Sequence, residues 1–356
     1  MTSWSSSSTS TTGTTSSPTQ CTGDTFPGAY SAPFTADYAR LRTKITRETS
    51  SGGRLRGAGQ LLWPRLGERT ARRNEVAARA AALQAQQDAF ALTQHAGGAA
   101  QVVQFVKPNI YEVDLRDAML RGKVPELNAL FHSTELLQIF PEHMPEYDLQ
   151  FSTSGRTLKL QRNAGGGGCF PCYYDNPGRP NARKLTCLLY LNDAWQAGDG
   201  GEVQLLPFLK QPVTVVPKMD RMVLFMSDWM LHRVLPSHTE RYCLTIWLDG
   251  GAQAVNTDAD TQLCISLSDM ADWFGFLERL RKSPVQRLLS RGVYEEEYYE
   301  SLTQCMQHAT EGGFVEMLKS HETHLVNLKR NAPLYNFITR LRDVREMNSE
   351  EPIYIA

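Results

Sequence analysis

The chain has 356 residues, 37 Lys and Arg against 38 Asp and Glu, a net charge of −1, and 41% hydrophobic residues. That balance gives no electrostatic reason to expect nucleic acid or an anionic membrane surface as a partner, and no run of about 18 apolar residues offers a membrane-spanning helix. Seven cysteines at irregular spacings do not make a disulfide framework and point to a reducing interior compartment, cytoplasmic or nuclear.

Residues 1–60 are rich in Ser, Thr, Gly and Arg, with little to bury, and are expected to be a disordered tail. The first twenty residues lack the basic start and apolar block of a secretory signal. Arg40, Arg42, Lys44, Arg47, Arg54 and Arg56 leave organellar targeting open. Residues 61–106 read as a helical segment and linker. Arg65 to Thr93 is a helix-forming mix of Ala, Glu, Arg and Gln, stopped by Gly97 and Gly98.

Residues 107–250 change period. Asn109 to Leu115 alternates like a short strand, and Leu127 to Ile139 has helical spacing. Thr157 to Leu160, Leu185 to Asn192, Val203 to Leu206, Val213 to Val216, Met222 to Met226 and Tyr242 to Leu248 are short β-type runs. Gly, Pro, Asn and Asp clusters separate them, the pattern of a barrel or sandwich. Residues 251–356 turn helical again at Asp269 to Arg281, Glu295 to His308, Phe314 to Leu328 and Leu334 to Arg345, with Ser268 as an N-cap.

Two features point to one site. Tyr173-Tyr174-Asp175 follows the glycine run Gly165 to Gly168, and His232 lies 57 residues after Asp175, with Arg241 nine residues beyond it. A non-haem iron(II) centre uses two imidazoles and a carboxylate on one face, leaving positions for a 2-oxo acid and oxygen. Residues two apart at a strand end point the same way. On the last β-run, Arg241, Cys243, Thr245 and Trp247 share one face, and a charge among buried β residues needs a partner.

The strings YYDNPGRPNARKLTCLLYLNDAW, GDGGEVQLLPF and DRMVLFMSDWMLHRVLPSHTERYCLTIWLDG resemble the oxygen-sensing type of prolyl hydroxylase over about 80 of the 356 residues. The resemblance implies an α+β fold: a double-stranded β-helix (jelly-roll, cupin-like) core flanked by helices, with a helical C-terminal extension. It implies a dioxygenase domain at 107–250 that uses Fe(2+) and 2-oxoglutarate, with ascorbate as reductant, and that hydroxylates a prolyl or other residue of a protein. Asp175 and His232 match metal ligands. Arg241 matches the cation that grips the far carboxylate of 2-oxoglutarate, Tyr190 a phenol bonded to that carboxylate, and Thr245 a hydroxyl lining the pocket.

Tyr173 stands where the family has its first iron-binding His. A phenol is normally protonated, with a pKa near ~10, so Tyr173 is a weak third metal ligand beside Asp175 and His232, and the site either binds iron weakly or is an inactive oxygenase-fold binding module. Neighbouring Cys172 is expected on the opposite strand face. The stretch LQRNAGGGG lacks the aromatic residue the family places there, which puts Arg162 or Asn163 at the pocket entrance. The Cys169–Cys172 spacing has no second pair, and His321 with His324 is read as a solvated helix face. The partner expected is a protein or peptide substrate; the oligomeric state stays open.

Overall fold

The computed structural model describes residues 86–348 except 97–98, 123–124, 133–139, 141–143, 177, 179, 220, 252–270, 282 and 310–311. The expected tail at 1–60, the Ser268 cap and the end of the Leu127 to Ile139 helix lie outside the described residues. Two antiparallel sheets make the core. The larger runs β1 (Gln86–Ala96), β2 (Ala99–Asp114), β3 (Arg156–Asn163), β10 (Arg241–Asp249), β5 (Arg183–Tyr190), β8 (Met222–Met226). The smaller runs β4 (Gly168–Tyr173), β9 (Leu231–Ser237), β6 (Val203–Leu206), β7 (Val213–Val215). This is a double-stranded β-helix with flanking helices, an α+β fold.

Alternation along the strands assigns the faces. Leu188, Tyr190, Val223, Phe225 and Cys243 of the larger sheet share a buried cluster with Val203 and Val215 of the smaller one, so that face lies between the sheets. The opposite face carries Leu158, Leu160, Leu185, Cys187, Leu189, Leu244, Ile246 and Leu248. It packs on Phe131 of helix α2 (Pro125–His132), which follows the short α1 (Ala118–Gly122), and on Phe140, Met144 and Leu149. Each such apolar side chain removed from water contributes about 1.5–3 kcal/mol before entropy is counted, enough to hold the register against a one-residue slip that would turn every side chain over.

The region before β2 departs from expectation. Residues Gln86 to Ala96 form a strand paired with β2 from Ala96↔Ala99 outward, not the end of a helix. Ala and Gln are good helix formers, but the preference is worth less than about 1 kcal/mol per residue, and an extended pairing with a long neighbour overrides it.

The C-terminal helices are α3 (Trp273–Arg281), α4 (Val285–Val293), α5 (Glu295–His308), α6 (Gly313–Arg330) and α7 (Ala332–Met347). They cover the outer face of the smaller sheet: Cys172, Tyr174, Leu206 and Leu231 join a cluster with Phe276, Leu289, Tyr294, Ile338 and Leu341. Helix α5 also covers β4, the edge strand of that sheet. Cys172 donates its backbone N–H to the Ser301 hydroxyl at 3.1 Å. Four residues further on, Cys305 meets Cys169 with sulfurs 3.3 Å apart. A strand edge whose polar groups are met by a helix is closed to further pairing.

Candidate active site

The glycine run launches the strand that carries the site. Gly165, Gly166 and Gly167 all have positive φ (78°, 62° and 85°), conformations that side chains disfavour. Asn163 clamps the turn: its amide donates to the Gly168 carbonyl at 2.8 Å and its oxygen accepts from Gly165 N–H at 3.1 Å. β4 then pairs with β9, Tyr173 opposite His232.

Asp175 and His232 converge. Asp175 Oδ1 lies 3.8 Å from His232 Nε2, and both side chains are almost fully buried. His232 Nδ1 bonds the Met230 carbonyl at 3.0 Å, which makes Nδ1 the protonated nitrogen and leaves the Nε2 lone pair facing the carboxylate. Burial lowers the His232 pKa, against the opposing pull of Asp175, so the ring favours its neutral form. The other carboxylate oxygen, Oδ2, accepts from the Thr186 hydroxyl at 2.7 Å. A neutral imidazole, an oriented carboxylate and fixed outer partners are what a divalent ion about 2.0–2.2 Å from each donor requires.

Tyr173 completes the constellation without supplying a third ligand of the same kind. Its ring lies 4.3 Å from that of His232. Burial, then the charge of Asp175, raises its phenol well above the ordinary value, with Arg241 pulling the other way. The side chain therefore presents a neutral O–H. Among the described residues no third His, Cys, Asp or Glu joins Asp175 and His232. Cys172 turns away, its sulfur on the Glu297 carbonyl at 3.5 Å.

The pocket beside this pair is polar and buried. Arg241 is 3% exposed and its guanidinium lies 5.0 Å over the Tyr190 ring. The register sets Cys243 opposite Tyr190 and Thr245 opposite Leu188, so Arg241, Tyr190, Thr245 and Trp247 line one face. Arg241 Nε, the Tyr190 hydroxyl and Trp247 Nε1 are buried with no protein hydrogen-bond partner of ordinary geometry. Leaving such groups unmet costs about 1–3 kcal/mol each, which an acceptor placed against them would recover.

Several neighbours escaped the sequence reading. Gln161 Oε1 accepts from Arg241 Nη1 at 3.4 Å, so Gln161, not Arg162 or Asn163, borders the pocket. Arg162 pairs with Glu240 near the surface, and Asn163 is consumed by the glycine turn. Gly201, at φ 77°, passes so close that a Cβ there would lie 2.7 Å from Arg241 Cδ. Thr186 could have been found by alternation with Leu188 and Tyr190; the Met230 carbonyl carries no sequence signal. His321 is not solvated: it is buried, and its Nδ1 accepts from Arg291 Nε at 3.1 Å.

Residues 158–249 match the family described as the 2OG-Fe(II) oxygenase superfamily. A solved prolyl 4-hydroxylase of Phytophthora capsici is 59% identical, covers 91% of this chain and 100% of its own, and superposes with a TM-score of 0.66. The chain belongs to the prolyl 4-hydroxylase family. Among curated proteins, Egl nine homolog 1 of Homo sapiens is 35% identical over 101 residues, 27% of this chain and 24% of that protein. Prolyl hydroxylase EGLN3 of Mus musculus is 38% identical over 86 residues, 23% of this chain and 36% of that protein. The chain thus spans about a quarter to a third of the curated relatives it matches.

The 2OG-Fe(II) oxygenase family implies iron(II) and 2-oxoglutarate. The unmet donors of Arg241 and Tyr190 fit a carboxylate, and Asp175 with His232 fits an ion. Tyr173 differs from the family's imidazole in its donor atom and reach, and its neutral phenol is a poorer donor to iron(II) than an imidazole nitrogen.

Proposed function

We propose that this prolyl 4-hydroxylase family member hydroxylates a residue, most simply a prolyl residue, of a protein or peptide, consuming oxygen and 2-oxoglutarate and releasing succinate and carbon dioxide. The observation that carries the reading is the alignment of an oriented Asp175–His232 pair with the buried, unmet donors of Arg241 and Tyr190 on the inner sheet face. In this reading Asp175 and His232 hold iron(II), with the Tyr173 phenol beside them. Arg241 and Tyr190 hold the far carboxylate of 2-oxoglutarate, and Thr245 lines the pocket. When bound, iron(II) with 2-oxoglutarate supplies the oxygen-activating chemistry.

The residues of this chain do the positioning. Thr186 and Met230 fix the two donor atoms so that little reorganisation accompanies binding. Arg241 offers a planar fork to a carboxylate, and the buried Phe225 ring lies 4.6 Å from that of His232, an apolar neighbour on that side of the imidazole. The alternative, an inactive binding module, rests on Tyr173 alone; decay of function predicts loss of Arg241, Tyr190 and Asp175 as well, and all three are retained.

Residues 107–250 are proposed to carry the chemistry, braced by the helices of 251–356. Ascorbate is the proposed reductant. The proposed compartment is intracellular, which the free buried Cys169, Cys172, Cys187, Cys243 and Cys305 support. No helix among the described residues is long and apolar enough to cross a membrane. The test is succinate release from 2-oxoglutarate by the full chain with iron(II), ascorbate and proline-containing peptides. Wild type should turn over and Asp175→Ala should not; equal release by the two proteins would sink the reading.

A further inference from the structure

Asp175 faces His232, whereas Tyr174, the residue before it, faces the C-terminal helices. Two residues of helix α4 receive it. The Tyr174 ring lies 4.6 Å from the Arg287 guanidinium, and its hydroxyl meets Ser290 Oγ at 2.8 Å. Ser290 donates its own proton to the Gln286 carbonyl at 2.7 Å, so the phenol is the donor in that bond. Tyr174, Arg287 and Ser290 are all buried.

Arg287 also reaches Asp175 from the other flank. Its Nη1 donates to the Asp228 carbonyl at 3.1 Å, beside the fully buried Ser227. The Ser227 carbonyl accepts from the N–H of Asn176, the residue after Asp175, at 2.9 Å. The Ser227 hydroxyl lies 2.8 Å from that of Thr186, which bonds Asp175 Oδ2. Because the Thr186 proton goes to the carboxylate, Ser227 is the donor to Thr186. The Asp228 side chain has its own hold, an ion pair with Lys184 at 2.7 Å, so the segment stays anchored when Arg287 is changed.

We propose that Arg287, in the C-terminal extension, is a positioning residue for the metal-binding carboxylate, setting Asp175 from both flanks through Tyr174 and through the Ser227–Asp228 segment. This rests on the reading above that Asp175 and His232 hold the ion. Burying a guanidinium is costly unless specific contacts offset it, and both of these contacts lead to Asp175. Partners behind a ligand orient it and thereby tune the affinity for the ion. The helical extension thus tunes the site as well as covering the sheet.

The experiment is calorimetric titration of the full chain with manganese(II), beside urea unfolding of each protein. Arg287→Met keeps an unbranched side chain and loses the charge and the donor, so manganese affinity should fall about fivefold. Arg287→Lys keeps both and should lie within about twofold of wild type. Ile338→Val is the control: it thins the same buried cluster from helix α7 and should lower the urea midpoint while leaving manganese affinity unchanged. If Arg287→Met does not fold, Tyr174→Phe takes its place; it removes the Ser290 bond alone and should weaken binding about threefold. Affinity equal to wild type in the variant that removes the contact, an equal loss in Ile338→Val, or a Lys variant as weak as the Met variant would each overturn the role of Arg287. Wild type that binds no manganese(II) would sink both the metal-site reading and the proposal that rests on it.

Discussion

Tyr173 and His232 face each other across the β4–β9 ladder, their rings 4.3 Å apart. The pairing puts a phenol at the position from which the family's first imidazole would reach the ion, two residues before Asp175. Tyr173→His should therefore bind iron(II) more tightly than wild type, by at least about tenfold, because it adds a neutral nitrogen donor to an oriented pair. Calorimetric titration of both proteins checks this. Succinate release should rise in parallel; a variant that folds but gains no iron affinity would show that Tyr173 is not at a ligand position.

Thr186 acts through Asp175. Its hydroxyl donates to Oδ2 at 2.7 Å and also meets the Ser227 hydroxyl at 2.8 Å. Thr186→Val keeps the shape and loses both bonds, so manganese or iron affinity should fall about tenfold, while the affinity for 2-oxoglutarate proposed to rest on Arg241 should change little. Unchanged metal affinity by calorimetry would remove Thr186 from the site.

Arg241→Lys keeps the charge and loses the planar fork that meets Gln161 and, in the proposed reading, the far carboxylate of 2-oxoglutarate. We expect 2-oxoglutarate to bind about tenfold more weakly or worse, and its KM to rise in proportion, whereas metal affinity measured without 2-oxoglutarate should not follow. Equal 2-oxoglutarate affinity in the two proteins would count against the carboxylate site.

His321 makes stability depend on pH. Burial first, and then the charge of Arg291, hold its pKa down to about 4, whereas in the unfolded chain it is near ~6.5. The native state favours the neutral ring, so the unfolded state takes up the proton first. The contribution is complete above about pH 6.5 and is lost as the pH falls toward 4. Urea unfolding across that range should show the decline, and His321→Gln should flatten it. Part of the slope will remain, because His324 is likewise lowered to about 4. An identical slope in His321→Gln would show that the ring titrates freely.

What the sequence determined by itself was whatever depends on a local period. The alternation of Arg241, Cys243, Thr245 and Trp247 against Leu244, Ile246 and Leu248 was legible because side chains on a strand change face at every residue. The structure puts the first set toward the other sheet and the second into the outer cluster. The C-terminal helices were legible from their own helical period, and the candidate donors from the motif resemblance that follows the glycine run. Tertiary structure alone decided what is distant along the chain. It made a strand of Gln86 to Ala96, because pairing with β2 outweighs a helical preference worth only a fraction of a kcal/mol per residue. It brought Thr186, Gln161 and the Met230 carbonyl onto Asp175, Arg241 and His232, and it laid Ser301 against the edge of β4. Those contacts come from sheet register and from packing between sheet and helix; spacing along one strand gives a side chain's face, as it does for Thr186, but not its partner.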